Sequence, residues 1–321
     1  MVTGGLGLIG HNVVQRLTQQ GHNVVVVDNL TNYNIIPLDE HQYIISERKK
    51  KIQNALILNV DITDAAKMED LFSSYNFSCV IHLASFPRQK VVNSNPAAGA
   101  RVMVEGLLNL LELSVKHGVH KFVYTSSSMV YGDFNHCIKE HESCKPQGQY
   151  GIMKYAGEKL IEDYHRRTGI NYTIIRPSAV YGPLDVEDRV VSKFILTAMR
   201  GGALRVRGEN EMLDFTFVDD AADGIVAAST ITDTNNKIYN ITKGASKTLL
   251  EAAKLAIQIV GQGSIILESK DQDFPSRAAL DITQAKTDFG YDPRVDVEQG
   301  FVEYYKWFKD SPFWQSKIGV K

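Results

Sequence analysis

The chain has 321 residues, of which 44% are hydrophobic and 22% are charged, an ordinary composition for one large or two modest globular α/β domains. Its formal net charge of −2 argues against nucleic-acid binding, which would need a clustered basic face. The only basic run, RKKK at residues 48–51, is interpreted as the solvated end of a helix rather than a binding patch.

Three cysteines, Cys79, Cys137 and Cys144, show no paired CxxC spacing, which disfavours a disulfide framework and a metal site. No apolar run reaches the length of a membrane span, and the chain opens on a structural motif rather than a signal peptide. We therefore expect a cytoplasmic protein without membrane attachment. Because only three residues precede the first glycines, either the first strand is unusually short or residues before Met1 are missing.

Strand and helix signals alternate through the first half of the chain. Apolar runs predict strands at residues 24–27, 56–60, 79–83, 121–125 and 172–175, and helical patterns cover residues 9–20, 65–74, 97–117 and 150–168. Continuous apolar strands separated by helices indicate a doubly wound parallel sheet with both faces covered. Residues 31–52 form a polar, partly helical excursion after the second strand.

After residue 176 the pattern loosens into shorter elements. We predict helices at 189–200, 248–260 and 297–309, and strands at 204–207 and 264–268. No clean linker separates them from the first half. The sequence therefore predicts a smaller C-terminal region interleaved with the first.

The stretch TGGLGLIG at residues 3–10 places Gly4, Gly7 and Gly10 between a strand and a helix, and the next strand ends at Asp28. A turn without side chains lets a pyrophosphate approach the backbone at a helix N-terminus. A carboxylate at Asp28 is placed to accept from the adenosine ribose hydroxyls and would repel a 2′-phosphate, which favours NAD over NADP. The alternative, a turn with close packing, does not account for the whole strand–glycine–helix–strand unit, so we predict a Rossmann-type dinucleotide site.

Two later segments carry candidate chemistry. Tyr150 and Lys154 stand four residues apart at the head of a predicted helix and share one face. A tyrosine, with a pKa near 10, is a weak base unless a neighbouring ammonium and a positive nicotinamide ring stabilise its phenolate. Ser127, after a predicted strand, would hydrogen-bond the same substrate oxygen. The alternative is an ordinary surface pair on a helix.

Taken together, these motifs resemble the extended short-chain dehydrogenase/reductase superfamily, specifically its NAD-dependent epimerase/dehydratase branch acting on nucleotide sugars. The resemblance covers essentially the whole chain. It rests on TGGLGLIG, Asp28, DIT at 61–63, VIHLAS at 80–85, SSSMVYG at 126–132, YGIMK at 150–154, RPSAVYGP at 176–183 and LDFTFVDDAADGI at 213–225.

The resemblance implies residue roles. The catalytic triad would be Ser127, Tyr150 and Lys154, with Lys154 also binding the nicotinamide ribose. The expected NAD-binding residues are Gly4, Gly7, Leu8, Ile9, Gly10, Asp28, Asn29, Asp61, Ile62, Leu83, Ala84, Ser85, Tyr150, Lys154, Pro177 and Ser178. His82 is expected to be a satisfied buried histidine. Residues 1–176 would form the NAD-binding domain, with parts of 208–245 returning to it, and 177–321 mainly the nucleotide-sugar region.

The residues after Ser127 discriminate between reactions within the family. The 4,6-dehydratases usually carry Asp and Glu there, whereas this chain has Ser128 and Met129. The resemblance therefore favours a 4-epimerase that oxidises the sugar C4 hydroxyl to a transient ketone. The alternatives are a net C4 dehydrogenase or 4-ketosugar reductase, then a 4,6-dehydratase. A non-catalytic NAD-binding sensor is disfavoured because the tyrosine and lysine are both present.

Three departures from the family pattern concern the substrate: Ala179, Leu213 and Met103 replace an asparagine, an arginine and an asparagine that are common there. Guanidinium groups suit phosphate oxygens, and each candidate arginine has a surface charge as its alternative. The predicted substrate-binding residues are Arg88, Ser127, Ser128, Arg189, Arg207 and Arg277.

Helices 97–117 and 150–168 carry apolar residues beyond what one sheet face needs. These are Leu107, Leu108, Leu111, Leu113, Tyr155 and Leu160. Relatives pair the two helices into a four-helix interface, so a homodimer is expected. The alternative is core packing within one subunit.

Overall fold

A computed structural model describes residues 1–319 and centres on a seven-stranded parallel sheet. The strands of this sheet, numbered with all others in chain order, are β1 (Val2–Thr3), β2 (Val25–Asp28), β3 (Leu56–Asn59), β4 (Cys79–His82), β5 (Lys121–Thr125), β6 (Asn171–Pro177) and β11 (Lys237–Ile241). Their spatial order is β11-β6-β5-β4-β1-β2-β3. The doubly wound parallel sheet predicted from the sequence is thus confirmed.

The order of the strands locates the main cleft. From β1 the chain first builds outward through β2 and β3, and then returns to build the other half from β4 onward. Val2 pairs with both Val26 and Ile81, so β1 lies between the two halves. Ligands bind at the carboxyl ends of the strands where such a reversal occurs, which here means the ends of β1 and β4.

Helices cover both faces of the sheet and build the C-terminal region. They are α1 (Leu8–Gln19), α2 (Leu38–Lys51), α3 (Ala65–Ser74), α4 (Gln89–Ser94), α5 (Pro96–Ala100), α6 (Gly106–Lys116), α7 (Gly148–Thr168), α8 (Val190–Met199), α9 (Val218–Thr230), α10 (Leu249–Val260), α11 (Thr283–Phe289), α12 (Val297–Asp310) and α13 (Pro312–Ile318). The predicted helix 97–117 is two helices, α5 and α6, joined by one π-helical turn over Arg101–Glu105.

Alternating strand residues supply two separate cores. Val80 and Phe122 lie in the cluster on one face of the sheet, and their neighbours Ile81 and Val123 lie in the cluster on the other. Successive strand side chains point to opposite faces, so the continuous apolar runs are explained by a sheet buried on both sides.

The short strands belong to the C-terminal region. They are β7 (Val180–Tyr181) with β10 (Thr216–Phe217), β8 (Ala203–Arg207) with β13 (Ser264–Glu268), and β9 (Met212–Leu213) with β12 (Lys247–Thr248). A third apolar core lies between these elements, α8, α10 and α12. The region also returns to the sheet, because β11 pairs with β6 and α9 packs on α1. None of the helices within residues 1–319 is both long and apolar enough to cross a bilayer.

Three of the leucines assigned to a dimer interface serve another purpose. Leu107, Leu111 and Leu113 are buried within the subunit, in the same apolar cluster as strand residue Phe122. For these residues the alternative of internal core packing holds, because the strand-facing side of α6 covers the sheet. Leu108 and Leu160 are only partly buried.

Candidate functional site

The glycine loop lies at the carboxyl edge of the sheet, where two backbones meet closely. Gly4 has φ +67°, and a Cβ there would lie 2.6 Å from the backbone nitrogen of Ala84. A Cβ on Gly10 would lie 2.1 Å from the carbonyl oxygen of Gly4. Both positions therefore require glycine, as the motif predicted.

Helix α1 leaves its first turn of N–H groups available to a ligand. Gly7 is its N-cap residue and provides no side-chain cap, and the first N–H groups of any helix lack intrahelical acceptors. The positive end of the helix dipole reinforces them. This bare, donor-rich turn fits a diphosphate, as the sequence predicted.

Asp28 is held beside the glycine loop. Its Oδ2 accepts a 2.9 Å hydrogen bond from the Leu6 N–H, and its Oδ1 accepts one of 2.9 Å from the Leu30 N–H. The Asn29 amide donates to Asp61 Oδ2 at 2.8 Å. Asp28, Asn29 and Asp61, all predicted to bind NAD, thus lie near the carboxyl ends of β2 and β3.

His82 lies under this edge as a buried histidine. Its Nδ1 is 2.7 Å from the Thr3 hydroxyl oxygen, which also accepts from the Ala84 N–H. Burial lowers the pKa of His82 to about 3, so the ring is neutral near pH 7. It fits the structural role expected of it and fixes the β4 end against β1.

The three candidate catalytic residues lie close together near the carboxyl end of β5. They are Ser127, Tyr150 and Lys154. Ser127 begins a 3₁₀ turn after β5 and accepts from the Met129 N–H at 3.2 Å. Lys154 donates from Nζ to the Thr125 carbonyl oxygen at 2.7 Å, and its Nζ lies 5.9 Å from the centre of the Tyr150 ring. The helical spacing therefore does place the tyrosine and lysine on one face.

A residue that the sequence analysis missed helps to orient Tyr150. The buried Gln89 accepts from the Tyr150 N–H at 3.1 Å through its Oε1. That N–H lies in the first turn of α7, where no intrahelical acceptor exists. Gly148 permits the approach, because a Cβ there would lie 1.5 Å from Gln89 Nε2.

Burial controls the pKa of both catalytic candidates. It raises the pKa of Tyr150 above its ordinary value, although Arg189, a hydrogen bond with Ser127, and Arg277 act to lower it. It lowers the pKa of Lys154 to about 7, against the opposing charge of Glu158. Among the protein's own groups, desolvation of the phenol outweighs its cationic neighbours; the lowering predicted from the sequence also requires a positive nicotinamide ring.

Two buried hydroxyls lie at the carboxyl ends of β5 and β6 without hydrogen-bond partners in the described part of the chain. Thr125 Oγ1 and Ser178 Oγ are buried and have no hydrogen-bond partner among the described residues, whereas buried polar groups are normally satisfied. Ser178 directly follows β6, and Thr125 ends β5. With the glycine loop and the Asp28 group, these residues fit a dinucleotide lying across the strand ends.

Two of the predicted substrate arginines face the catalytic residues. Arg277 donates from Nη1 to Ser128 Oγ at 3.2 Å, and burial lowers its pKa to about 10. Arg189 begins α8, and its charge acts on Tyr150. The Nε atoms of both arginines are buried without a hydrogen-bond acceptor among residues 1–319, and Arg189 Nε lies 4.0 Å from Asp185 Oδ1, at the limit of an ion pair. Arg277 therefore has unused donor capacity for an anionic substrate group, whereas Arg189 shares its charge with Asp185.

The other two arginines are engaged elsewhere. Arg88 donates to the carbonyl oxygen of Asp188 at 3.0 Å and pairs with its carboxylate. Arg207 is about half exposed and pairs with Glu268 and Asp271 on the β8–β13 side. For Arg207 the structure favours the surface-charge alternative, because its recorded partners are these surface carboxylates.

The sequence interpretation of Arg48 is wrong. The guanidinium is buried at 6% exposure and donates to the carbonyl oxygens of Leu6 and Leu184, so it is not part of a solvated helix end. Its place on α2, on the same helical face as Glu40 and Ile44, was the available signal. Among the described residues, no three His, Cys, Asp or Glu side chains are grouped to hold a metal ion.

Comparison with known proteins gives one consistent family. The NAD dependent epimerase/dehydratase family matches residues 1–242. A Methanocaldococcus jannaschii relative, provisionally named a UDP-glucose 4-epimerase, is 31% identical over 97% of this chain and 98% of its own. The UDP-glucuronate 4-epimerase of Thermodesulfobacterium geofontis is 28% identical over 97% and 96%. The structure of Thermotoga maritima UDP-glucose 4-epimerase with UDP-glucose matches at a TM-score of 0.87 and 30% identity, covering 96% and 97%.

Proposed function

Because the chain belongs to the NAD dependent epimerase/dehydratase family, we propose that it is an NAD-dependent 4-epimerase of a nucleotide hexose. One observation carries the choice of reaction: Ser127, Tyr150 and Lys154 meet at the predicted cofactor edge, while Ser128 and Met129 follow Ser127. The names of its relatives favour a UDP-hexose.

The chain's own residues would move one proton. Tyr150 takes the proton from the C4 hydroxyl as general base, and Ser127 hydrogen-bonds the same oxygen. Lys154, fixed by the Thr125 carbonyl oxygen, stabilises the phenolate as a nearby cation. Bound NAD supplies the hydride acceptor and donor. After the 4-ketone has turned over in the site, Tyr150 returns the proton to the opposite epimer.

We propose that Arg189 and Arg277 bind the diphosphate of the substrate, because their Nε atoms lack a hydrogen-bond acceptor among the described residues. The diphosphate carries charge that guanidinium forks neutralise well. Arg277 also contacts Ser128 beside the catalytic serine. This arrangement holds the nucleotide while leaving the sugar ring free to present either face.

Elimination of water is disfavoured by the same segment. Removal of a C6 hydroxyl needs an acid at the leaving oxygen and a base at C5, and proton transfer of this kind contributes about 10²–10⁴-fold each. Met129 has no proton to transfer, and Ser128 accepts a hydrogen bond from a cationic guanidinium rather than being activated by a base. The 4,6-dehydratase alternative therefore lacks its acid–base pair here.

The test is the product formed from UDP-glucose and from UDP-glucuronate. We expect a C4-inverted sugar of unchanged mass, read by mass spectrometry and proton NMR, with only transient absorbance of reduced nicotinamide. Lasting reduction would mean net dehydrogenation instead. Loss of water or of carbon dioxide would contradict the proposal.

We also propose a homodimer through α6 and α7. With Leu107, Leu111 and Leu113 assigned to the core, support comes from Ile152, which is 52% exposed on α7, and from the partly buried Leu108. Light scattering at micromolar concentration is expected to give twice the 35.8 kDa chain mass, and Ile152→Glu to reduce it to the monomer. A monomeric parent protein would refute this assignment.

We propose a cytoplasmic location on the basis of the cysteines. Cys79, Cys137 and Cys144 are all free thiols in the structure, and disulfides are rare in reducing compartments. Cell fractionation of the tagged protein tests this location.

A further inference from the structure

Helix α2 buries charge in an unusual position. Its buried residues are Glu40, Ile44 and Arg48, spaced four apart and therefore on one face. Burying an ionisable side chain is costly unless polar partners satisfy it. The contacts of Glu40 and Arg48 therefore indicate the role of helix α2.

Arg48 joins two separate segments. Its Nη1 donates to the Leu6 carbonyl oxygen at 2.7 Å, and its Nη2 donates to the Leu184 carbonyl oxygen at 2.6 Å. Leu6 is inside the glycine loop, and Leu184 is in the connection at residues 183–189 between β7 and α8, which we name the 183–189 loop. A planar fork with several donors suits this double contact, and a lysine ammonium does not.

Glu40 holds the same loop three residues further on. Its Oε1 accepts from the Glu187 N–H at 2.8 Å. A further contact comes from Arg88, which binds the Asp188 carbonyl oxygen and carboxylate. Leu184 has φ +67°, which is uncommon for a residue other than glycine, and such a backbone persists when its surroundings fix it.

Arg189 is the last residue of the 183–189 loop, and its charge acts against the burial that raises the pKa of Tyr150. Its Nε has no hydrogen-bond acceptor among the described residues and lies 4.0 Å from Asp185 Oδ1 in the same loop. We propose that Glu40 and Arg48 are positioning residues: helix α2 couples the cofactor's glycine loop to the 183–189 loop and so aims Arg189 at the substrate beside Tyr150. The inference rests on the proposed function, because Arg189 needs an anionic substrate to position.

The Glu40 contact depends on pH. Burial raises the pKa of Glu40 to about 7; the negative charges of Glu187 and Asp39 also raise it, whereas the Glu187 N–H and Lys317 lower it. Tyr304 packs near the same carboxyl. The ionised form is the stronger acceptor for the Glu187 N–H, so the contact strengthens as pH rises through about 7.

The test compares each buried residue with a less buried neighbour on α2. Glu40→Gln is paired with Glu47→Gln, because Glu47 is only partly buried and pairs with the exposed Lys50. Arg48→Met is paired with Lys49→Met, because Lys49 is exposed. We expect Glu40→Gln to raise KM for the nucleotide sugar about tenfold, the loss expected for one charge-assisted hydrogen bond, with NADH affinity unchanged. In the parent enzyme, KM should fall as pH rises from 6 to about 8, because Glu40 ionises. In Glu40→Gln, KM should not change over this range.

Arg48 should behave differently, because it also holds the glycine loop. Arg48→Met is expected to weaken NADH binding and raise KM together, and Arg48→Lys to recover part of each. NADH affinity is read by fluorescence titration, without substrate. If Arg48→Met does not fold, Arg48→Lys and Glu40→Gln carry the test.

Equal KM values for Glu40→Gln and Glu47→Gln, at equal unfolding midpoints, would overturn the proposal. So would unchanged NADH affinity in both Arg48 variants. Failure of the proposed function is distinguishable, because the parent enzyme would then convert no nucleotide sugar while the NADH titration of Arg48→Met would still report on the α2 contact.

Discussion

Tyr150→Phe is expected to reduce kcat by about 10²–10⁴, the usual contribution of a positioned general base. The phenol is the group proposed to take the C4 proton, and Ser127 is close enough to act on its pKa. Phenylalanine keeps the ring that packs with Phe86, Val92 and Met103, so stability and NADH affinity should stay close to those of the parent enzyme.

The matched control for this substitution is Tyr155→Phe. Tyr155 lies on the same helix and contacts Lys159 rather than Lys154, so removing its hydroxyl should leave kcat within about twofold. A Tyr150→Phe enzyme with a near-normal rate would remove the assignment of the base.

The sheet and the shared helical face of Tyr150 and Lys154 were predictable because both depend on local signals. The strands are continuous apolar runs, and Val80 and Ile81 show why: adjacent residues enter opposite cores. Tyr150 and Lys154 needed only the helical period to meet on one face. The glycine motif was recognisable because Gly10 lies too close to the Gly4 carbonyl oxygen to allow a side chain.

The errors came from contacts that are distant in the chain. Arg48 seemed part of a basic helix end, and its burial depends on Leu184, 136 residues later. Leu107 and Leu111 belong to a helix with more apolar residues than one sheet face seemed to require. Sequence periodicity does not reveal whether the sheet or a second subunit covers them.

A buried ion pair joins Glu158 and Arg176 next to the Tyr150–Lys154 segment of α7. Neither residue was assigned a role from the sequence. Glu158 is one turn after Lys154 and fully buried, and it accepts from Arg176 Nε at 2.9 Å and Nη2 at 2.7 Å. It also accepts from the Ser126 hydroxyl. Arg176 Nη1 in turn donates to the Tyr131 hydroxyl at 2.9 Å. The pair thus connects α7 to the ends of β5 and β6.

Glu158→Ala is expected to lower the free energy of unfolding by about 3–5 kcal/mol, because it leaves the Arg176 guanidinium buried without its counter-charge. Urea denaturation monitored by tryptophan fluorescence measures this loss. The matched control is Glu162→Ala, one turn later, whose partner Lys159 is about half exposed; a surface pair of this kind contributes about 0–1 kcal/mol.

The same carboxylate should influence catalysis through Lys154. Glu158 raises the pKa of Lys154 against the stronger effect of burial, so its removal should lower that pKa further below about 7. The ammonium would then lose its proton at lower pH, weakening its stabilisation of the Tyr150 phenolate, and kcat near neutral pH should fall. In Glu158→Leu/Arg176→Met both charges are replaced by apolar groups, so much of the lost stability should return. The catalytic loss should remain, because Lys154 still lacks the carboxylate. Recovery of both stability and rate in that double variant would show that Glu158 serves packing alone.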